Sequence, residues 1–192
     1  PTHLDQSYLK TYLRKDCPVV FVDRPPAHFE ADSVLTDNIG GVYEAVYSLT
    51  QLGHKRIAYL GDTSTIQTAR ERLKGYKKAL TKAGIEFDAN IAKLDLRERS
   101  KARNFLFGLF NNPNPPTAIF AARNTLTEEC IRVLAELKLQ KKVALIGFDE
   151  LPYADLLTPS ISLVTQDIEG IARAAAAIVF ERISGKGSRG FE

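Results

Sequence analysis

The sequence predicts an α/β protein with doubly wound parallel sheets, and three observations carry that reading. The stretches 19–22, 56–60, 117–122 and 143–148, apolar throughout apart from Arg56 and Thr117 at their starts, lack the alternation of a strand with one wet face and suit strands covered on both sides. Between them lie stretches with apolar residues at helical spacing, such as Ala69, Leu73, Tyr76 and Leu80. Strand and helix thus alternate along the chain, and parallel strands need helical crossovers of this kind.

The stretch from Gly53 to Tyr76 organises the rest. Gly53 stops a helix, residues 56–60 form a buried strand, Gly61-Asp62 turns, and a helix opens near Thr68. In an open parallel sheet the ligand crevice lies beyond the carboxyl ends of the strands, so Asp62 and the helix opening from Thr68 to Arg72 face it. Thr68 and Arg72 stand four apart on one side of that helix, and Arg72 falls beside the apolar stripe, near solvent. There its guanidinium either offers a rigid fork of donors to ligand oxygens or serves as an ordinary solvated arginine.

Upstream, residues 5–15 read as a helix with Tyr8, Leu9, Tyr12 and Leu13 on one side. The run 19–22 is bounded by Pro18 and Pro25-Pro26. A short strand at 33–35 follows, and Asp37-Asn38 cap a helix burying Ile39, Val42, Val46 and Leu49. Gly40-Gly41 in its first turn are poor helix formers, consistent with a close approach of backbone or ligand, or with plain packing.

Downstream, Ala83-Gly84 end the organising helix and residues 91–96 form another strand. Ser100 caps a helix carrying Ala102, Leu106, Leu109 and Phe110 inward, which the proline-rich run 111–116 ends. After the strand at 117–122, Thr125-Leu126-Thr127-Glu128 spells a capping box for a helix burying Leu126, Cys130, Val133, Leu134 and Leu137. Asp149-Glu150 stand just past the strand 143–148, placed either for the crevice or as a solvated loop. Residues 161–164 make a last strand, 168–183 an alanine-rich helix, and 184–190 a flexible end.

Composition bounds the function. A net charge of +3 over 192 residues, without a block of basic residues, gives no electrostatic signal for nucleic acid. Cys17 and Cys130 suit buried thiols in a reducing cytoplasm better than a disulfide framework. His3, His28 and His54 are scattered without partners at ligand spacing, so neither a metal site nor a cofactor is expected. No apolar run is long enough to span a bilayer, which leaves no membrane partner. The sequence contains no nucleophile elbow, no phosphate-binding glycine loop and no paired His and carboxylate, which argues against an enzyme.

Several motifs together resemble the LacI/GalR family of bacterial transcription regulators. They are Asp37-Asn38, the run from Gly53 to Gly61, Arg70 to Tyr76, Pro116 to Ala122, Ile146-Gly147-Phe148-Asp149-Glu150, Leu157-Thr158-Pro159 and Thr165-Gln166-Asp167, in the family's order. The resemblance implies a two-lobe, periplasmic-binding-protein-like fold with an effector cleft and an incomplete first lobe. Residues 1–53 and 166–181 would form part of the first lobe and 54–164 the second, with 182–192 a truncated C-terminal segment. An incomplete lobe of this kind would leave a sheet edge and apolar helix faces uncovered.

By the same resemblance, Arg72 and Asp149 are the main polar contacts to the effector, with Thr68 and Gln166 as further contacts. Arg123 departs from the family, many of whose members place asparagine there. The change implies a more acidic or phosphorylated effector, unless Asn124 takes that asparagine's part. The implied function is a cytoplasmic, allosteric effector-binding domain of a repressor that senses a small sugar or nucleoside-like metabolite. Its partners would be that metabolite, operator DNA through an N-terminal domain absent from this chain, and a second copy in a homodimer. On this reading Arg72→Ala abolishes the effector response and spares folding. The alternative is an extracytoplasmic solute-binding protein of the same fold.

Overall fold

The computed structural model describes residues 5–13 and 17–185. In chain order its elements are α1 (Leu9–Tyr12), β1 (Val20–Val22), β2 (Asp32–Val34), α2 (Asn38–Gln51), β3 (Ile57–Leu60), α3 (Gln67–Lys82), β4 (Ala92–Lys93), α4 (Arg99–Phe110), β5 (Ala118–Ala121), α5 (Asn124–Glu136), β6 (Ala144–Phe148), β7 (Ser162–Val164) and α6 (Ile168–Ile183). They fall into two compact units, Asp37–Gln166 and the flanking segments Pro1–Thr36 with Asp167–Glu192.

The larger unit is a five-stranded sheet in the order β4-β3-β5-β6-β7 with every pair parallel. Both faces are covered, as the continuous apolar runs require: every residue of β3 and β5 is buried. On one face Tyr59, Phe120 and Phe148 pack with Val42, Val46 and Leu49 of α2 and Tyr76, Ala79 and Leu80 of α3. On the other, Ala58, Leu60 and Ile119 meet Leu106 of α4 and Leu126, Cys130 and Val133 of α5.

The boundary between units differs from the expected one. Helix α2, assigned from sequence to the first lobe, belongs to the larger unit, which begins at Asp37 rather than at His54. The reason is its packing on α3. A Cβ built at Gly75 would lie 2.5 Å from the Ile39 carbonyl oxygen and 3.0 Å from Val42 Cβ, so the two helix backbones approach as closely as only glycine allows.

Local signals fared unevenly. Asp37 caps α2 by accepting a hydrogen bond from the Gly40 N–H at 2.7 Å. That carboxylate occupies the space of a side chain at position 40, since a Cβ there would lie 2.1 Å from Asp37 Oδ2. Ser100 does not cap α4, which starts a residue earlier after Glu98. The capping box at Thr125 is likewise absent: α5 begins at Asn124, and the Thr127 hydroxyl donates back to the Arg123 carbonyl at 3.1 Å. The strand expected over 91–96 shrinks to Ala92–Lys93 because it has a neighbour on one side only. Cys130 is buried as expected, whereas Cys17 is exposed.

In the smaller unit β1 and β2 pair in parallel, Val20 opposite Asp32 and Val22 opposite Val34. Asp32 anchors α6 through a two-pronged ion pair with Arg182, Nε and Nη2 donating at 2.8 Å each. Those bonds hold the Asp32 carboxyl below its ordinary range, against the opposing effect of burial. The strand β1 is not covered on both faces, since Val22 is 44 % exposed. Helix α6 keeps the expected bounds but has no buried residue, and Ile168, Phe180 and Ile183 lie open. The helix expected over 5–15 is a four-residue turn of helix at Leu9–Tyr12; Arg14 to Asp16, and most of the expected flexible end, lie outside the described residues.

Candidate functional site

The carboxyl edge of the larger sheet gathers a row of polar side chains, one from behind each strand and in sheet order. Past β4 stands Arg97, past β3 Asp62, past β5 Arg123, past β6 Asp149 and past β7 Gln166. Their contacts are nearly continuous. Arg97 Nε donates to Asp62 Oδ1 at 2.7 Å, and Arg123 Nη1 donates to Asp62 Oδ2 at 3.0 Å. At the other end Gln166 Nε2 donates to Asp149 Oδ1 at 2.6 Å.

Arg72 joins the two halves. It reaches over from α3 so that its Nη1 donates to the Ala122 carbonyl at 2.8 Å and lies 3.9 Å from Asp149 Oδ2. Its Nε donates to Asn38 Oδ1 at 2.8 Å, and the guanidinium carbon sits 3.7 Å from the centre of the Phe148 ring. Asn38 is itself held by Glu71, which accepts from Asn38 Nδ2 at 3.1 Å and from Gln67 Nε2 at 2.7 Å. Arg72 is only 8 % exposed, which corrects the expectation of a position near solvent. Its plane is fixed by protein acceptors and an aromatic face before any ligand arrives.

The row spans the point where the sheet reverses its winding. Helix α3, leaving β3, packs on one face, and α5, leaving β5, packs on the other. The carboxyl ends of β3 and β5 therefore splay their connections apart, the place where open α/β sheets form a ligand crevice. Asp62 and Arg123 flank that place. Burial pushes the Asp62 carboxyl upward, yet the bonds from Arg97 and the Thr63 N–H, with the charge of Arg123, outweigh it and hold the group below its ordinary value. Arg123 Nε is buried without a hydrogen-bond partner.

Of the residues singled out from sequence, Arg72, Asp149, Gln166 and Arg123 all belong to this row. Thr68 is buried one turn before Arg72 on α3. Asn124 turns its Oδ1 to the Thr125 N–H at 2.7 Å, at the first residue of α5. Asp149 holds a left-handed backbone (φ 71°), which aspartate tolerates better than most residues. Sequence reasoning missed Arg97 and the positioning of Arg72 by Asn38. The pairing of Asn38 with Arg72 spans two helices and leaves no local signal.

Among the described residues no group of three or more His, Cys, Asp or Glu is placed to hold a metal. No helix of the described residues is long and apolar enough to cross a membrane. Two cavities of about 360 and 310 Å³ lie at the amino edge of the sheet, sharing Arg56 and Ile91. Arg56 there is engaged by Asp88 at 2.8 Å, and neither cavity touches the polar row.

Comparison with known proteins bears on this edge. Residues 46–190 match the periplasmic binding protein-like domain. The chain is 28 % identical over 191 residues to the probable HTH-type transcriptional regulator EndR of Paenibacillus polymyxa, covering 97 % of this chain and 56 % of that protein. It thus spans about half the length of that relative. Among solved structures, a putative ribose operon repressor from Burkholderia thailandensis superposes with a TM-score of 0.84 at 28 % identity, covering 100 % of this chain and 71 % of that one. The transcriptional regulator CelR in its cellobiose complex superposes with a TM-score of 0.82 at 27 % identity, covering 97 % and 58 %.

Proposed function

We propose, from the premise that this chain belongs to the periplasmic binding protein-like domain family as found in LacI/GalR regulators, that it is the metabolite-sensing part of a transcriptional repressor. The observation that carries the reading is the row of strand-end side chains on the larger unit, with Arg72 and Asp149 3.9 Å apart at its middle. A buried guanidinium with a fixed plane and a carboxylate shared with Gln166 present donor and acceptor together, the pair needed to read hydroxyls or ring nitrogens of a small polar metabolite. Thr68, Arg123, Gln166 and Asn124 are the further contacts of this proposal. CelR's cellobiose supports a carbohydrate or similar metabolite as the effector.

The relatives named above are transcription regulators, which favours this function over a solute-binding protein of a transporter and over an enzyme. In the proposal the effector binds one conformation of the intact protein more tightly than another, and that difference tunes affinity for operator DNA in the cytoplasm. DNA is contacted by a part of the protein outside this chain, and two copies associate to read a two-fold operator. The test is fluorescence anisotropy of the full-length protein on its operator, titrated with metabolites. An effector should shift the operator affinity roughly 5- to 150-fold, the usual range of allosteric coupling, and Asp149→Asn should abolish that shift. Operator affinity indifferent to every metabolite that binds the chain would refute the sensor reading.

A further inference from the structure

The charge along the strand-end row is uneven, and its unevenness bears on the class of effector. Toward β7 the carboxylate of Asp149 is met by Gln166 at 2.6 Å and by Arg72 at 3.9 Å, a balanced group suited to hydroxyls. Toward β4 two guanidiniums, Arg97 and Arg123, share the single carboxylate of Asp62 at 2.7 and 3.0 Å. One positive charge there is left over. The neighbouring acids do not cancel it: Asp95 is exposed and acts on Lys101, and Glu71 is held on the α2 side by Asn38 and Gln67.

Arg97 and Arg123 are also the accessible cations of the row. Their side chains are 53 % and 26 % exposed, against 10 % for Arg72. Asp62 occupies the fork of Arg123 on one side only, at Nη1. Arg123 follows β5 and Asp62 follows β3, so the surplus charge lies where the winding reverses, the place a ligand's charged end enters.

Resting on the sensor reading above, we propose that the effector is a polyhydroxylated acid: a sugar-like body held at Asp149 and Gln166, with one carboxylate or phosphate group seated against Arg123 and Arg97. Arg97 is then a specificity-determining residue that ranks acids over neutral sugars. Arg123 is positioned for this by Asp62, which keeps its guanidinium extended across the crevice. Both guanidiniums present planar forks, which fit the oxygens of either a carboxylate or a phosphate.

The test is calorimetric titration of the full-length protein with hexoses, the corresponding hexuronates and hexose 6-phosphates, and inorganic phosphate alone. A charge-assisted contact predicts that one acid series binds on the order of ten- to a hundredfold tighter than its neutral parent, with affinity falling as salt rises. Which series does so distinguishes carboxylate from phosphate. Arg123→Asn and the more exposed Arg97→Gln should each shrink the ratio of acid to neutral affinity, the second without disturbing the fold. Neutral hexoses binding as tightly as their acids would overturn the acid assignment and leave the sensor reading standing. Inorganic phosphate binding as tightly as any sugar acid, or no member of the panel binding at all, would overturn it too. Failure of the sensor reading itself shows separately, as operator binding that ignores a bound metabolite.

Discussion

Removing the Arg72 side chain should destabilise the larger unit heavily, contrary to the expectation from sequence that Arg72→Ala spares folding. The truncation strips a charged donor from Asn38 Oδ1 and from the Ala122 carbonyl, each at 2.8 Å, in a place where Asn38 and Ala122 are 2 % and 3 % exposed. Charge-assisted bonds of this kind contribute about 1.5–3 kcal/mol each. The stacking on Phe148 at 3.7 Å adds about 0.5–2 kcal/mol. These terms overlap, and the loss of one partner from a buried polar cluster costs about 3–5 kcal/mol in total. A domain of ordinary stability, about 5–15 kcal/mol, would remain folded at low temperature but melt roughly 10–15 °C lower. Urea unfolding followed by far-ultraviolet circular dichroism measures the loss directly, with an unchanged m-value expected. A change below about 1 kcal/mol would refute the claim that the guanidinium is locked in place by Asn38, Ala122 and Phe148.

Gly75→Ala should cost about 1–3 kcal/mol by forcing α2 and α3 apart, because its Cβ would lie 2.5 Å from the Ile39 carbonyl oxygen; chemical denaturation reads this, and a neutral result would mean the helices part freely. Acid should unfold the chain through its paired carboxylates. Asp32, Asp62 and Asp88 all titrate below their ordinary range in the folded state, so the stability they contribute is complete above the unfolded carboxylate pKa of about 3.9 and is lost as pH falls through their folded values. A pH series of melting temperatures should therefore be flat from about pH 7 to pH 5 and drop steeply below about pH 4.

Much of the fold was legible because its signals are local. Strands β3 and β5 announce themselves as unbroken apolar runs, and α6 keeps the bounds 168–183 read from its alanine-rich composition, with Asp167 capping it. The failures at the site and the unit boundary involve partners distant in sequence, whereas the caps read at Ser100 and Thr125 were local misreadings. Arg72 lies beside its helix's apolar stripe, and spacing alone therefore puts it near water; it is buried by an asparagine on α2 and a carbonyl after β5. The unit boundary differs from the one read because Gly53 marks a real helix end, whereas the chain changes units before α2, whose packing on α3 at Gly75 and on the sheet through Val42, Val46 and Leu49 decides the matter. Arg97 directly follows the strand read over 91–96, so a pointer to the sheet edge was present and went unused; the observed strand is only the two residues Ala92–Lys93. The usable signal was its place just past a strand, in a chain where Asp62, Arg123, Asp149 and Gln166 stand one or two residues past the ends of β3, β5, β6 and β7.

The central claim is that the carboxyl edge of the larger sheet, centred on Arg72 and Asp149, is where this chain holds its effector. A crystal structure grown with the tightest-binding sugar acid or sugar tests it most directly. Density for the ligand is expected within hydrogen-bond reach of Arg72 and Asp149, extending toward Arg123. Ligand seated instead in the cavities around Arg56, with the strand-end row unoccupied, would contradict the account.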